Sequence, residues 1–169
     1  SLTSLKLDKK NRNEYLTGYP SREFRPNIPM TRGEISMALT RLTMLSPMPV
    51  SWTSYSDVKA SDWYASPIEF LTEYDVLTGY PDGTFRPNKT ITRAEFATIM
   101  SKFAFLDNAD TTDLFYDVDS NHWANKYIAS AKELGLLSGY PDGSFKPNDN
   151  VTRAEVTVAI NKLVERSAD

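Results

Sequence analysis

One phrase, written three times, constrains this chain more than any other feature. Gly79-Tyr80-Pro81-Asp82-Gly83-Thr84-Phe85-Arg86-Pro87-Asn88 recurs about 60 residues on as Gly139-Tyr140-Pro141-Asp142-Gly143-Ser144-Phe145-Lys146-Pro147-Asn148. A looser copy, Gly18-Tyr19-Pro20-Ser21-Arg22-Glu23-Phe24-Arg25-Pro26-Asn27, lies about the same distance upstream. Each copy precedes a helix opener: Thr31-Arg32-Gly33-Glu34, Thr92-Arg93-Ala94-Glu95 and Thr152-Arg153-Ala154-Glu155. A fixed period marks units that bury their apolar faces against one another. The upstream halves align only twice. Tyr55-Ser56-Asp57-Val58 with Trp63 and Ile68 matches Tyr116-Asp117-Val118 with Trp123 and Ile128, whereas residues 1–15 hold no Asp-Val and no Trp. The chain therefore reads as one partial and two full repeats, over 1–45, 46–106 and 107–169.

Each full repeat predicts two helices. The first runs from about Trp63 to Tyr74, with Ser61 as its N-cap and Pro67 tolerated near the first turn. Its copy ends at Gly135, the expected left-handed residue after the helix. Pro81-Asp82-Gly83 is turn chemistry, with glycine supplying positive φ. The second helix spans roughly 92–105 or 152–166. Thr92 with Glu95 is a capping box, and Ile91 with Phe96 a hydrophobic staple; Met30 with Ile35 and Val151 with Val156 repeat the staple. Phe96, Ile99, Met100 and Phe103 form the apolar stripe. Residues 43–54 and 107–113 read as short linkers.

Composition narrows the chemistry. The chain of 169 residues is 40% hydrophobic and 24% charged, an ordinary globular balance. Its net charge of −3, with no massed Lys or Arg, argues against nucleic acid. With no cysteine and one histidine, His122, thiol catalysis, zinc sites and histidine triads are nearly excluded. No apolar run approaches a membrane span, and no signal peptide is visible at Ser1. Asp117-x-Asp119-x-Asn121 opens like a calcium loop, but His122 and Ile128 stand where Gly and Glu are required. No phosphate loop occurs, and no unique acidic pair suggests a glycosidase. No cofactor or metal is expected.

Capping explains Thr92 and Glu95 but not Arg93. A cation at the first helical position opposes the macrodipole, yet Arg32, Arg93 and Arg153 all sit there. Either each arginine pairs with a carboxylate such as Asp57 or Asp117 to clamp repeats together, or it joins free helix N–H groups in an anion site. For Trp63 and Trp123, helical spacing favours an inward anchor; the alternative is a sugar platform. Gly79 and Gly139 let the backbone bend or a ligand approach. Tyr19, Tyr80 and Tyr140 read as half-buried turn supports.

Together these motifs, over roughly residues 14–166, resemble a set of S-layer homology (SLH) domains. The resemblance implies a mainly α fold of three repeats packed as a pseudo-threefold helical prism with grooves between repeats. It implies a non-enzymatic module on the bacterial surface. Such a module anchors a surface protein to pyruvylated secondary cell-wall polysaccharide through a terminal pyruvylated N-acetylmannosamine. The family's Thr-Arg-Ala-Glu arginine reads the pyruvyl carboxylate, which carries over to Arg93 and Arg153 and favours the anion site. Trp63, Trp123, Asp57, Asp117, Gly79 and Gly139 match groove positions. Repeat one departs from the pattern: Arg32 sits in Thr-Arg-Gly-Glu, and the tryptophan half is absent. Fewer than three equivalent sites are expected. Either Leu5 and Leu7 cover the gap, or the missing half precedes Ser1. The isolated module is expected to be monomeric; a lattice-assembly or protein-interaction module is the alternative function, and a wall hydrolase a remote third.

Overall fold

The computed structural model describes residues 24–43, 45–104, 109–112 and 114–166. The expectations for the Gly18 copy up to Glu23, for Tyr19, and for Leu5 and Leu7 lie outside them. Among the described residues the fold is mainly helical. There are five helices, α1 (Arg32–Arg41), α2 (Ala65–Glu73), α3 (Arg93–Ala104), α4 (Asn125–Glu133) and α5 (Arg153–Arg166). Extended pairing is confined to isolated bridges. The chain divides into two compact units; Met30–Thr90 belongs to the first, while Arg25–Pro29 and Ile91–Asp169 form the second.

In the first unit α1 packs on α2. Thr31 caps α1 with a complete capping box: its hydroxyl accepts from Glu34 N at 3.2 Å, and Thr31 N donates to Glu34 Oε1 at 3.3 Å. The staple pair Met30 and Ile35 is fully buried, as are Leu39, Ile68, Leu71 and Phe85. The two N–H groups that begin α1 have partners outside the helix. Arg32 N donates to Lys89 O at 2.9 Å and Gly33 N to Pro87 O at 2.8 Å, beside a bridge between Thr31 and Thr90. Such groups have no intrahelical acceptor, so the Pro87-Asn88 loop acts as a second cap.

The second unit repeats this device twice. For α3, Arg93 N donates to Asp149 O at 2.8 Å and Ala94 N to Pro147 O at 3.0 Å. For α5, Arg153 N donates to Ile28 O at 3.0 Å and Ala154 N to Pro26 O at 2.9 Å. This explains why 25–29 belongs with α5. α3 packs on α4, and the stripe Phe96, Ile99, Met100 and Phe103 is buried.

The first helix of each full repeat starts later than expected. α2 begins at Ala65 and α4 at Asn125; Tyr64 and Ala124 hold the N-cap positions and make no side-chain cap. Ser61 is therefore not the N-cap. Turns come first: Ala65 N donates to Asp62 O at 3.0 Å and Asn125 N to His122 O at 3.0 Å. Trp63 and Trp123 sit in those turns, so helical periodicity does not govern them.

The C-termini close as expected in one copy and unexpectedly in the other. After α4, Gly135 has φ 68°, and Leu136 N reaches Ala131 O at 2.9 Å while Gly135 N reaches Lys132 O at 3.0 Å. That is the two-bond Schellman ending. After α2 the same bonds form from Val76 N to Leu71 O and Asp75 N to Thr72 O, with Asp75 at φ 56°. Aspartate is among the few residues that visit this region with a modest penalty.

Candidate functional site

The three helix-opening arginines are buried. Arg32, Arg93 and Arg153 are 5%, 1% and 3% exposed. Arg32 donates from Nε to Phe85 O at 2.7 Å and from Nη2 to Thr78 O at 2.6 Å. Arg93 does the same to Phe145 O at 2.8 Å and Ser138 O at 2.6 Å, and pairs through Nη1 with Glu155. The Arg32 and Arg93 guanidiniums thus each clamp both ends of a Gly-Tyr-Pro loop. Burial pulls the Arg93 pKa below its ordinary value, opposed by Tyr140, Asp149 and Asp117.

The anion-site reading needs correction, and the clamp reading holds for Arg93 with a different partner: its carboxylate is Glu155, at the start of α5. The helix N-terminal N–H groups are not free for an anion, because loop carbonyls and the cap threonines already accept from them. Nor do Asp57 and Asp117 hydrogen-bond the arginines. Asp57 accepts from Phe85 N and Arg86 N, each at 2.8 Å, and Asp117 from Phe145 N and Lys146 N, each at 2.8 Å. Two successive N–H groups make a small anion-binding concavity, and here it is filled by the chain's own carboxylate.

That carboxylate holds an unusual backbone. Arg86 and Lys146 have φ 59° and 56°, and Arg25, the equivalent residue of the loose copy, has φ 50°. Such conformations cost about 1–3 kcal/mol in a non-glycine residue and persist where surroundings impose them. The outcome is a cation placed over a tyrosine: Arg86 lies 4.0 Å from the Tyr80 ring centroid and Lys146 4.3 Å from that of Tyr140. Arg32 and Arg93 lie 4.9 Å from the same two rings. Tyr80 is half-buried as expected; Tyr140 is 36% exposed. No residue type in the motif signals the left-handed turn, since arginine and lysine ordinarily avoid it.

Gly79 and Gly139 make room for protein rather than ligand. A Cβ on Gly79 would overlap the Tyr55 ring and lie 2.6 Å from Thr84 O. On Gly139 it would overlap the Phe115 ring and lie 2.8 Å from Ser144 O. Tyr55 also accepts a hydrogen bond from Gly79 N at 3.0 Å. Repeat one's departure at Gly33 has a similar cause. Its Cβ would stand 3.2 Å from Tyr64 Cδ1 and 3.1 Å from Pro87 O, while the position equivalent to Tyr64 in the second unit is Ala124.

Trp63 and Trp123 are not inward anchors: they are 57% and 60% exposed. Trp63 meets Tyr64 edge-on, and Trp123 stacks on His122 at 5.8 Å. Trp63 lines an open cleft of about 410 Å³ in the first unit, together with Met37, Thr40, Arg41, Leu45 and Pro67. The structure therefore gathers the expected residues into two kinds of place. Arg32, Asp57 and Gly79 converge on the 78–86 loop, and Arg93, Asp117 and Gly139 on the 138–146 loop. The tryptophans are exposed on the surface, in the turns that precede α2 and α4. Among the described residues no cluster of metal-binding side chains occurs, and no helix is long and apolar enough to cross a membrane.

The model of the S-layer homology domain matches residues 11–35, 54–97 and 114–157. Cell surface glycoprotein 1 of Acetivibrio thermocellus is 39% identical over 167 residues, covering 90% of this chain and 7% of the relative. The Cellulosome-anchoring protein of the same organism is 38% identical over 160 residues, covering 90% and 36%. An Amylopullulanase of Thermoanaerobacterium thermosulfurigenes is 34% identical over 159 residues, covering 90% and 8%. The chain thus spans well under half the length of these relatives.

Proposed function

The chain belongs to the S-layer homology domain family, and from that membership we propose that it anchors a surface protein non-covalently to the bacterial cell wall. Its work is done at the cell surface. The ligand in this reading is a secondary cell-wall polysaccharide carrying pyruvylated N-acetylmannosamine, and the module acts as a monomer without catalytic residues. Residues 1–45, 46–106 and 107–169 are its three repeats.

The observation that carries the reading is the exposure of Trp63 and Trp123 at equivalent positions. An indole left in water on two repeats offers a flat apolar face with a free donor edge, the surface a sugar ring stacks on. Asp57, Asp117, Gly79 and Gly139 shape the neighbouring loops. Arg32 and Arg93 hold those loops, and Arg153 takes the equivalent place at the start of α5. Any contact they make with a carboxylate uses N–H groups beyond the carbonyl bonds; for Arg93, three of five donors have named partners.

The test is calorimetric titration with pyruvylated N-acetylmannosamine and with the same sugar lacking pyruvate. Binding confined to the pyruvylated form, weakened at least tenfold in Trp63→Ala or Trp123→Ala, supports the reading. Undiminished binding in both variants, or equal binding of the two sugars, overturns it.

A further inference from the structure

We propose that His122 is a specificity-determining residue at Trp123: its imidazole Nε2–H donates to an acceptor oxygen of the bound saccharide, and the equivalent position beside Trp63 offers no such donor. This rests on the reading of the module as a binder of acidic wall polysaccharide. The two exposed tryptophans occupy the same place in the repeat, but their neighbours differ in chemistry.

The imidazole is held with one nitrogen turned to the protein. His122 Nδ1 accepts from Ala124 N at 3.1 Å, where Ala124 holds the N-cap position of α4. A neutral imidazole carries its proton on the nitrogen that does not accept, so this bond assigns the Nε2–H form. The backbone of the residue is fixed as well. His122 N donates to Asp119 O at 3.1 Å, and Asn125 N donates to His122 O at 3.0 Å. Asn125 Nδ2 donates to Asp119 O at 3.0 Å and ties the turn to α4. The side chain is half-buried, and among the described residues Nδ1 is its one hydrogen-bonded ring atom.

The ring also stacks on the tryptophan. The His122 and Trp123 centroids lie 5.8 Å apart with planes inclined by 27°. An aromatic face and a donor edge are thus fixed side by side. A donor already locked by a hydrogen bond and a stack gives up little freedom when a ligand arrives.

The first unit departs from this arrangement in two residues. Asp62 stands where the second unit has His122, and Tyr64 where it has Ala124. Asp62 Oδ2 accepts from Lys59 N at 2.8 Å, and an ionised carboxylate has no proton to give. Trp63 meets the Tyr64 ring edge-on at 4.9 Å instead of lying on an imidazole. An acceptor oxygen of the sugar therefore meets a donor at position 122 and a like-charged acceptor at position 62. The two platforms are equally exposed but not interchangeable.

The experiment uses the full isotope-labelled chain, titrated with pyruvylated N-acetylmannosamine and with the unpyruvylated sugar above about pH 8, where histidine is ordinarily neutral. His122 is the only histidine, so its ring gives the only imidazole signals, and the Trp63 and Trp123 indole N–H signals report the two platforms separately. In the free chain the ring proton should sit on Nε2, and the pyruvylated sugar should shift the Nε2 signal. His122→Asp keeps an acceptor for Ala124 N but removes the donor. It should leave the melting temperature unchanged and lower the affinity read at Trp123 by about tenfold to a hundredfold, the range of a hydrogen bond to a charged group. The affinity read at Trp63 should not change. His122→Gln, whose amide donor stands near the place of Nε2, should recover part of the loss. A histidine that only holds the turn would behave in the opposite way, tolerating Asp and not Gln. A ring proton on Nδ1, an Nε2 signal unmoved by the sugar, or wild-type affinity at Trp123 in His122→Asp overturns this inference while leaving the anchoring reading intact. Absence of wild-type selectivity for the pyruvylated sugar overturns both.

Discussion

Removing the Arg93 side chain should unfold the second unit's loop rather than merely abolish a ligand contact. Arg93→Ala leaves Phe145 O and Ser138 O without their donors. A buried acceptor left unpaired costs about 1–3 kcal/mol. Phe145 O belongs to a fully buried residue, so it takes the upper half of that range; Ser138 O is partly accessible and takes the lower. Loss of the guanidinium from the Tyr140 and Phe145 rings, at 4.9 and 4.6 Å, adds about 1 kcal/mol. The total is about 5 kcal/mol, a large part of the 5–15 kcal/mol that holds an ordinary domain. For a chain of this size the melting temperature should fall by about 10 °C. Arg93→Lys should recover only part, because one ammonium on a flexible stem does not reproduce the fork that spans both carbonyls. Thermal unfolding followed by circular dichroism reads the loss, and amide exchange at Tyr140 and Gly143 localises it. An Arg93→Ala variant melting within about 2 °C of wild type, with those amides still protected, would refute the clamp and require the loop to be held by Asp117 alone.

Two further outcomes follow from the same loops. Gly139→Ala places a methyl against Phe115 and 2.8 Å from Ser144 O, a backbone atom that yields little. It should destabilise by at least the 1–3 kcal/mol typical of overpacking, whereas Gly143→Ala should lose stability only through its φ of 85°; chemical denaturation of the pair distinguishes them. Asp82 has its pKa lowered from 3.8 to about 2, first by the Thr84 hydroxyl, then by Thr84 N–H and by Arg86. Because the folded value is the lower one, its stabilising share is complete above about pH 4 and disappears as pH falls through about 2. A carboxyl-detected NMR titration should find that midpoint near 2, and a midpoint near 4 would show the turn bonds absent in solution.

Local chemistry made much of the fold legible. Thr31, Thr92 and Thr152 with their glutamates mark helix starts that the structure reproduces at the next residue, because a cap is decided within one turn of chain. Gly83, Gly135 and Gly143 all take the positive φ their contexts ask for. Legibility failed where a residue's environment comes from far along the chain. Trp63 fits an apolar helical spacing, but a turn closed by Asp62 O delays the helix and leaves the indole in water. Arg86 and Lys146 look like ordinary surface cations, and only the Asp57 and Asp117 carboxylates explain their left-handed backbone.

By itself the sequence determined the period, the helix starts, the turns and the family, because each depends on neighbours within a few residues. Only the tertiary structure decided where the donors of Arg32 and Arg93 go, and which aromatic groups remain in water. Those outcomes are set by acceptors and packing surfaces some fifty residues away in the chain. A buried guanidinium takes whichever carbonyls the fold brings to it, and no local spacing reports which they will be.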